Sequence, residues 1–389
     1  MKVSIATGGR FYAFHLASYL AKKGLLQHLF TGSYSKNDEK EIPKALVKNN
    51  KLFGLLDIAY DKFRLSHVIS PSPWYVFKDG LFDEWVKRLL LKERDKPDIF
   101  VGWSNYCLKS LAVARKKGAK IIVESASSHI LYKDKLLRDE YEKYNISLTP
   151  ISKKNSDKML KEYDQADYII VPSKFVFRSF IGEGIPEEKM LRIPTGCGVN
   201  LDKFLTVRNE KPSKFRVIFV GLVGLRKGVH YLLDAWKKLN LPKDKAELLI
   251  VGGIEKNFLK ILKESTITPN IKFYGGISQE YLKELYKTSS VFILPSIEEG
   301  LALVQAEAMA TGLPIIGTTN SGCEELINNG QEGFILSIRS VDSIVEKIEW
   351  CYMNQDLCFE MGKRAQEQVK MFTWERFGDK VVELYSRTL

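Results

Sequence analysis

Glu299 and Glu307 are separated by seven mostly small and apolar residues in the stretch EEGLALVQAEAMATG at 298–312. The apolar run SVFILP leads into Ser296 and a turn at Glu299–Gly300, and the pattern predicts a helix from about Leu303. A glycine at that junction lets a ligand approach the backbone, and the free amides of Leu301, Ala302 and Leu303 point at it. Glu307 falls one turn further on, where a carboxylate can accept two hydrogen bonds from a vicinal diol such as a ribose. A dipole-favoured glutamate and a solvated helix face are the competing explanation. Against it, Glu307 lies among Ala306, Ala308, Met309 and Ala310, a poor setting for solvated charge.

A second group able to do chemistry is FVGLVGLRKGVHYLLDAW. Here a strand ends at Gly221 and a helix starts near Gly228, with Val229, Leu232, Leu233 and Trp236 on its apolar side. Arg226 and Lys227 stand at the mouth, where guanidinium and ammonium groups would meet a diphosphate; solvated cations on a loop are the alternative. The G-x-x-x-x-G-K-[ST] phosphate loop is absent. The junction IATGGRFYAF, with Gly8 and Gly9, lacks G-x-G-x-x-G, and no acidic residue precedes Asp38 to hold a ribose, which argues against a nicotinamide dehydrogenase. His129, in VESASSHILYKDKLLRDEY, follows a first-half strand and is expected to face a cleft, although an isolated histidine is more often structural. His15, His28, His67 and His230 carry no comparable argument.

The elements that must position these groups alternate regularly. Short apolar strands (KVSIAT, DIFVG, KIIVE, YIIVP, then FRVIFVG, ELLIVGG, IKFYGG, SVFILPS, LPIIGT) are separated by amphipathic helical patterns. Such alternation predicts an α/β chain with two doubly wound parallel sheets. The boundary is expected near residue 200, in RIPTGCGVNLDKFLTVRNEKPSKF, giving domains over 1–200 and 201–370 facing across a cleft that binds the ligand. The closing segment 371–389 reads as an amphipathic helix with Phe377, Val381, Val382 and Tyr385 on one side, free to cross back to the first domain.

Taken in order, the glycine turn at Gly8–Gly9, VPSKFV at 171–176, IPTGCGVNLDKF at 193–204, RKG at 226–228, the glutamate pair followed by EAMATGLPIIGTTNSGCEELI, and the closing FTWERF resemble the retaining GT-B glycosyltransferases of family 4, over nearly the whole chain. The resemblance implies that Glu307 holds the nucleotide ribose and that Glu299 contacts donor-sugar hydroxyls. It places the backbone from Gly300 through Leu301 and Ala302 to Leu303 near sugar and phosphate, and implies that Arg226 and Lys227, on the loop begun at Gly221, neutralise the leaving diphosphate. Gly276–Ile277 would receive the base, and His129 would lie beside the sugar. The acceptor would bind the first domain near Gly9, Arg10, Trp103 and Asn105. Two positions depart from the family pattern: Leu222 where an arginine commonly follows the glycine, and Ala302 where a glycine is common. The implied reaction moves a sugar from a nucleotide-diphosphate sugar to an acceptor hydroxyl, retaining anomeric configuration. No cofactor or metal is expected, since the chain has no Asp-x-Asp and two cations with helix amides can stabilise the departing charge. A GT-B epimerase of nucleotide sugars and a non-catalytic nucleotide-sugar-binding protein are the alternatives.

Bulk composition sets the remaining expectations. A chain of 389 residues, 45% hydrophobic and 27% charged, is globular and large enough for two cores. Of the net charge of +12, residues 1–200 carry 34 Lys/Arg against 23 Asp/Glu, so nearly all the excess lies in the first half. That asymmetry suggests an anionic partner; no recognition motif supports nucleic acid. The stretch KALVKNNKLFGLLDIAYDKFRL sets cations beside apolar residues, consistent with a peripheral contact on an anionic membrane and a glycan or lipid-linked acceptor, or equally with a core helix that has a lysine edge. Five cysteines (Cys107, Cys197, Cys323, Cys351 and Cys358) in no disulfide or zinc pattern, with no signal-peptide or membrane-span signature, point to the cytoplasm, at most at the inner face of the membrane.

Overall fold

A computed structural model describes residues 1–62, 71–146, 151–194, 201–208, 210–265 and 267–389. The expected boundary near residue 200, Cys197, and the last residues of the basic stretch begun at Lys44 lie outside them. The remaining four cysteines are buried free thiols.

Two all-parallel sheets organise the chain. The first contains β1 (Val3–Thr7), β2 (Leu26–Thr31), β3 (Val47–Asn49), β4 (Ile99–Trp103), β5 (Lys120–Glu124), β6 (Tyr168–Val171) and β7 (Met190–Arg192), in the order β3-β2-β1-β4-β5-β6-β7. The second contains β8 (Phe215–Val220), β9 (Ala246–Val251), β10 (Ile271–Gly275), β11 (Val291–Leu294), β12 (Ile315–Thr318) and β13 (Gly333–Leu336), in the order β10-β9-β8-β11-β12-β13. Central strands such as β1, β4, β9 and β11 are buried at every residue. Helices on both faces of a sheet demand this of the strand sequence and explain why these runs are mostly apolar on both faces, with Ser4, Thr7 and Glu247 the polar exceptions in β1 and β9.

In each sheet the order reverses beside its first strand, between β1 and β4 and between β8 and β11, where the loops leaving the strand ends diverge and open a crevice. The Gly8–Gly9 turn and the turn after Trp103 therefore share one crevice, while the Gly221–Lys227 loop and the Ser296–Gly300 loop share the other. The helix Trp374–Thr388 lies on the first domain: Phe377, Val381 and Tyr385 join the core of Val3, Ile5 and Leu16, and Trp374 stacks on His15 at 3.9 Å between centroids.

Candidate active site

The second-domain crevice is assembled by close backbone approach. Arg226 and Lys227 sit in a short 3-10 turn, Leu225–Lys227, and Gly228 follows with φ 68°, starting the helix Val229–Leu239. A Cβ on Gly228 would stand 1.9 Å from the carbonyl oxygen of Pro295, so only glycine lets the loop after β8 rest on the end of β11. The contact is fixed by Ile297 N–H, which donates to the Arg226 carbonyl at 2.9 Å.

This approach brings Arg226, Lys227 and Glu299 together. Arg226 Nη1 lies 3.2 Å from Glu299 Oε2, donates to the Glu298 carbonyl at 3.0 Å, and approaches Glu298 Oε2 at 3.4 Å, while Lys227 Nζ pairs directly with Glu299. Burial lowers the affinity of Lys227 for its proton, with Glu299 opposing. For Arg226 burial acts in the same direction, but Glu299 and Glu298 outweigh it and the guanidinium is held more firmly charged. The result is two largely buried cations fixed at the loop mouth by Glu298 and Glu299, preorganised to meet negative charge.

Glu298 was not singled out from the sequence. It is fully buried and bridges the domains, accepting from Ser127 Oγ and Ser128 Oγ at 2.7 Å each and from Ser128 N at 3.2 Å, with Lys133 Nζ at 3.8 Å. Burial would raise its pKa, but Lys133, Arg226 and the serines hold it down at about 2. The available signal was the doubled glutamate after an apolar strand, where at most one carboxylate can face solvent.

Glu307 behaves differently. It projects from the helix Leu303–Ala310, and among the described residues no hydrogen bond or ion pair reaches its carboxylate. Burial alone pushes its pKa up to about 7. The helix N-terminus beside it has no side-chain cap. Ala302 there has φ −81° and ψ 112°, extended backbone that alanine adopts without strain, so the departure from glycine leaves the main chain unchanged. Gly300 receives the first domain: Ser173 Oγ donates to its carbonyl at 2.7 Å, and a Cβ would stand 1.9 Å from the Ala126 carbonyl oxygen. Leu301 is half-buried beside it; Gly276 is exposed and Ile277 half-buried just past β10.

On the first domain most of the expected site residues are buried or already paired. The His129 side chain is 1% exposed, its ring 5.2 Å from Tyr163 and 5.0 Å from Phe180, and neither ring nitrogen has a partner. Burial drops its pKa to about 4, so its buried imidazole is neutral, while its neighbours Ser127 and Ser128 bond to Glu298 of the second domain. Trp103 is also core, 2% exposed and packed against Tyr12 at 5.3 Å, because it is still a residue of β4 and not of the turn beyond it. Asn105, at φ 79°, shapes that turn: its side chain donates to Asp79 at 2.8 Å and its amide to Glu162 at 2.6 Å. Arg10 is largely exposed but pairs in a bidentate manner with Asp38. Gly9 remains accessible at the crevice, its carbonyl accepting from Thr7.

Residues 6–202 match the model of Glycosyltransferase Family 4, and residues 202–368 match that of Glycosyl transferases group 1. The chain belongs to glycosyltransferase family 4. It is similar to a sulfoquinovosyl transferase, SQD2, of Arabidopsis thaliana, at 27% identity over 56% of this chain and 44% of the relative. It is also similar to an N,N'-diacetylbacillosaminyl-diphospho-undecaprenol alpha-1,3-N-acetylgalactosaminyltransferase of Campylobacter jejuni, at 26% identity over 53% of this chain and 56% of the relative. The chain spans about half the length of the curated relatives it matches. Among solved structures, HepE of Anabaena, determined with UDP, superimposes with a TM-score of 0.67 at 16% identity over the whole of both chains, a likeness of GT-B fold. Family membership and fold agree with the order of motifs. The doublet Arg226–Lys227 and the pair Glu299/Glu307 stand in the family's second-domain model, and Gly9 and Asn105 in its first.

Proposed function

We propose that this family 4 chain is a retaining glycosyltransferase that moves a sugar from a nucleotide-diphosphate sugar to an acceptor hydroxyl without a metal. The observation that carries the reading is Glu307: a largely buried carboxylate that has no partner among the described residues, one helix away from two largely buried cations. A ribose diol would donate to Glu307, and the diphosphate would lie against Arg226, Lys227 and the amides from Gly300 to Leu303. Glu299 orients both cations and is placed to turn toward donor-sugar hydroxyls. The base would rest at Gly276–Ile277.

In the reaction the bond from the anomeric carbon to the diphosphate oxygen breaks, its electron pair going to that oxygen. The acceptor oxygen forms the new bond on the same face and passes its proton to the departing phosphate. Two fixed cations take up the developing charge, the role a metal would otherwise fill. The acceptor would enter from the first domain beside Gly9 and the turn of Asn105. A lipid-linked acceptor is supported by the excess positive charge of the first half and by the acceptor named for the Campylobacter relative. A peripheral contact on an anionic membrane, from the cytoplasmic side, is supported by the helix Leu52–Lys62: Phe53 and Tyr60 face the core while Leu52, Leu55 and Ile58 are exposed. Among the described residues no helix is long and apolar enough to cross a membrane.

The test is a thermal-shift titration with UDP, GDP and ADP and their sugar derivatives, with Glu307→Ala as control. Stabilisation by one nucleotide series, lost in the variant, is the expected result; a wild-type protein and a variant equally indifferent to every nucleotide would sink the reading. Isomerised nucleotide sugar formed without any acceptor would instead identify an epimerase.

A further inference from the structure

A cavity of about 770 Å³ opens on the first domain, away from the nucleotide crevice, between the helices Pro71–Lys92, Leu108–Lys116 and Lys153–Gln165. Its size is that of an occupied small-molecule site, roughly 300–1,000 Å³. Val76, Phe77, Leu81 and Leu108 make the walls apolar, and Phe77 and Leu81 are themselves exposed at the mouth, 58% and 42%. Apolar surface left in contact with water in a concave site favours an apolar occupant.

The rim is cationic. Lys153, Lys154 and Lys161 line it, and at about 100° per residue they fall within roughly a third of the helix circumference. None has a hydrogen-bond or ion-pair partner among the described residues. The acidic groups beside them are largely engaged elsewhere: Glu84 by Lys87, Arg88 and Lys109, and Asp83 by the amides of Lys109 and Ser110. Of the acidic residues in the lining, this leaves Asp157 to oppose the lysines. Leu108 and Lys109 lie three and four residues beyond Asn105, and Lys158, also in the lining, donates to the Asn105 carbonyl, which ties the cavity to the turn where the acceptor is proposed to enter.

We propose that this cavity binds the hydrocarbon chain of the acceptor, an isoprenoid carrying a phosphate or diphosphate that pairs with Lys153, Lys154 and Lys161. The inference rests on the lipid-linked acceptor proposed above and names its class. An apolar pocket alone would accept any hydrophobe; free ammonium groups at its rim select an amphiphile whose head is a polyanion.

Gly80 supplies the test. It lines the cavity within a helix, and a Cβ there meets nothing within 4 Å, so Gly80→Trp fills the cavity while leaving the backbone undisturbed. Binding of geranylgeranyl diphosphate, below its micellar concentration, is measured calorimetrically on the full chain, with inorganic diphosphate and geranylgeraniol as comparison ligands. The lipid diphosphate is expected to bind more tightly than either, Gly80→Trp to weaken it about tenfold or more, and Lys154→Gln with Lys161→Gln to weaken it about fivefold with a shallower salt dependence. Equal binding by wild type and Gly80→Trp, or by inorganic diphosphate and the lipid, overturns the proposal, as does binding to anionic vesicles that Gly80→Trp leaves unchanged. Nucleotide thermal shifts on the same variants separate the two readings. Loss of lipid binding in Gly80→Trp with no nucleotide response anywhere supports the cavity and removes the transferase; a nucleotide response with lipid binding indifferent to Gly80→Trp does the reverse.

Discussion

Glu307, largely buried, and Glu298, fully buried, titrate in opposite directions because among the described residues the first has no hydrogen-bond or ion-pair partner and the second has several. The unfolded chain ionises Glu307 near its ordinary value of 4.5, whereas the folded protein keeps the proton to about 7. Between those values the folded state binds more protons, so the stability it contributes falls as pH rises through that window. Glu307→Gln should remove this slope and be neutral or stabilising at pH 8, while nucleotide affinity drops roughly ten- to a hundredfold, as expected when hydrogen bonds to a charged acceptor are lost. Calorimetry in buffers of different ionisation enthalpy should also detect proton release as the nucleotide binds. Glu298, held at about 2, gives the inverse sign: its stabilisation is complete above about 4.5 and is lost as pH falls toward 2. Glu298→Ala strands Lys133 and part of the Arg226 charge and should cost about 3–5 kcal/mol in urea unfolding. The spacing of Glu299 and Glu307 and the alanines around the latter were legible in the sequence. The burial of His129 was not, because Tyr163 and Phe180, which pack against it, come from segments whose packing no local pattern encodes.

At the scale of elements, strand–helix alternation foretold parallel sheets, and apolar strand cores foretold burial on both faces. The order β3-β2-β1-β4 was beyond that reading, since alternation alone does not say which strand a crossover returns to. Loop geometry separates two glycines that look alike in sequence. Gly228 touches Pro295 within its own domain and has positive φ, so an alanine there disturbs the second domain itself. Gly300 touches Ala126 across the cleft, so the same change can be relieved by the domains moving apart. Gly300→Ala should therefore keep its thermal midpoint but lose transfer rate, with a larger radius of gyration in X-ray scattering. An unchanged scattering profile would show that the contact does not limit closure.

For the whole molecule, what matters is how the two sheets are held face to face, since one apolar cluster reaches from Phe100 and Ile121 of the first to Phe219 and Leu249 of the second. Glu140, fully buried on the helix Ile130–Lys143 of the first domain, receives hydrogen bonds from three groups of the second: Tyr231 at 2.8 Å, His230 Nε2 at 2.9 Å and Arg339 Nε at 2.6 Å. Burial lowers the pKa of His230 against the pull of Glu140, so at neutral pH its imidazole donates as a neutral group and Arg339 supplies the charge. Burial would raise the pKa of Glu140, yet these donors hold it at about 2. The clamp is therefore complete above about 4.5 and fails as pH falls toward 2. Arg178 with Glu324 at 2.8 Å, and Arg192 with Glu325, add more exposed pairs that salt screens readily. Glu140→Ala should cost about 3–5 kcal/mol, because Arg339 is left without its buried partner. The cost falls on the joint between domains and not on either core, so urea unfolding should split into two transitions, with the second-domain step alone shifted upward by nucleotide. A single cooperative transition, merely displaced to lower urea, would show instead that the two sheets fold as one unit and that Glu140 belongs to a common core.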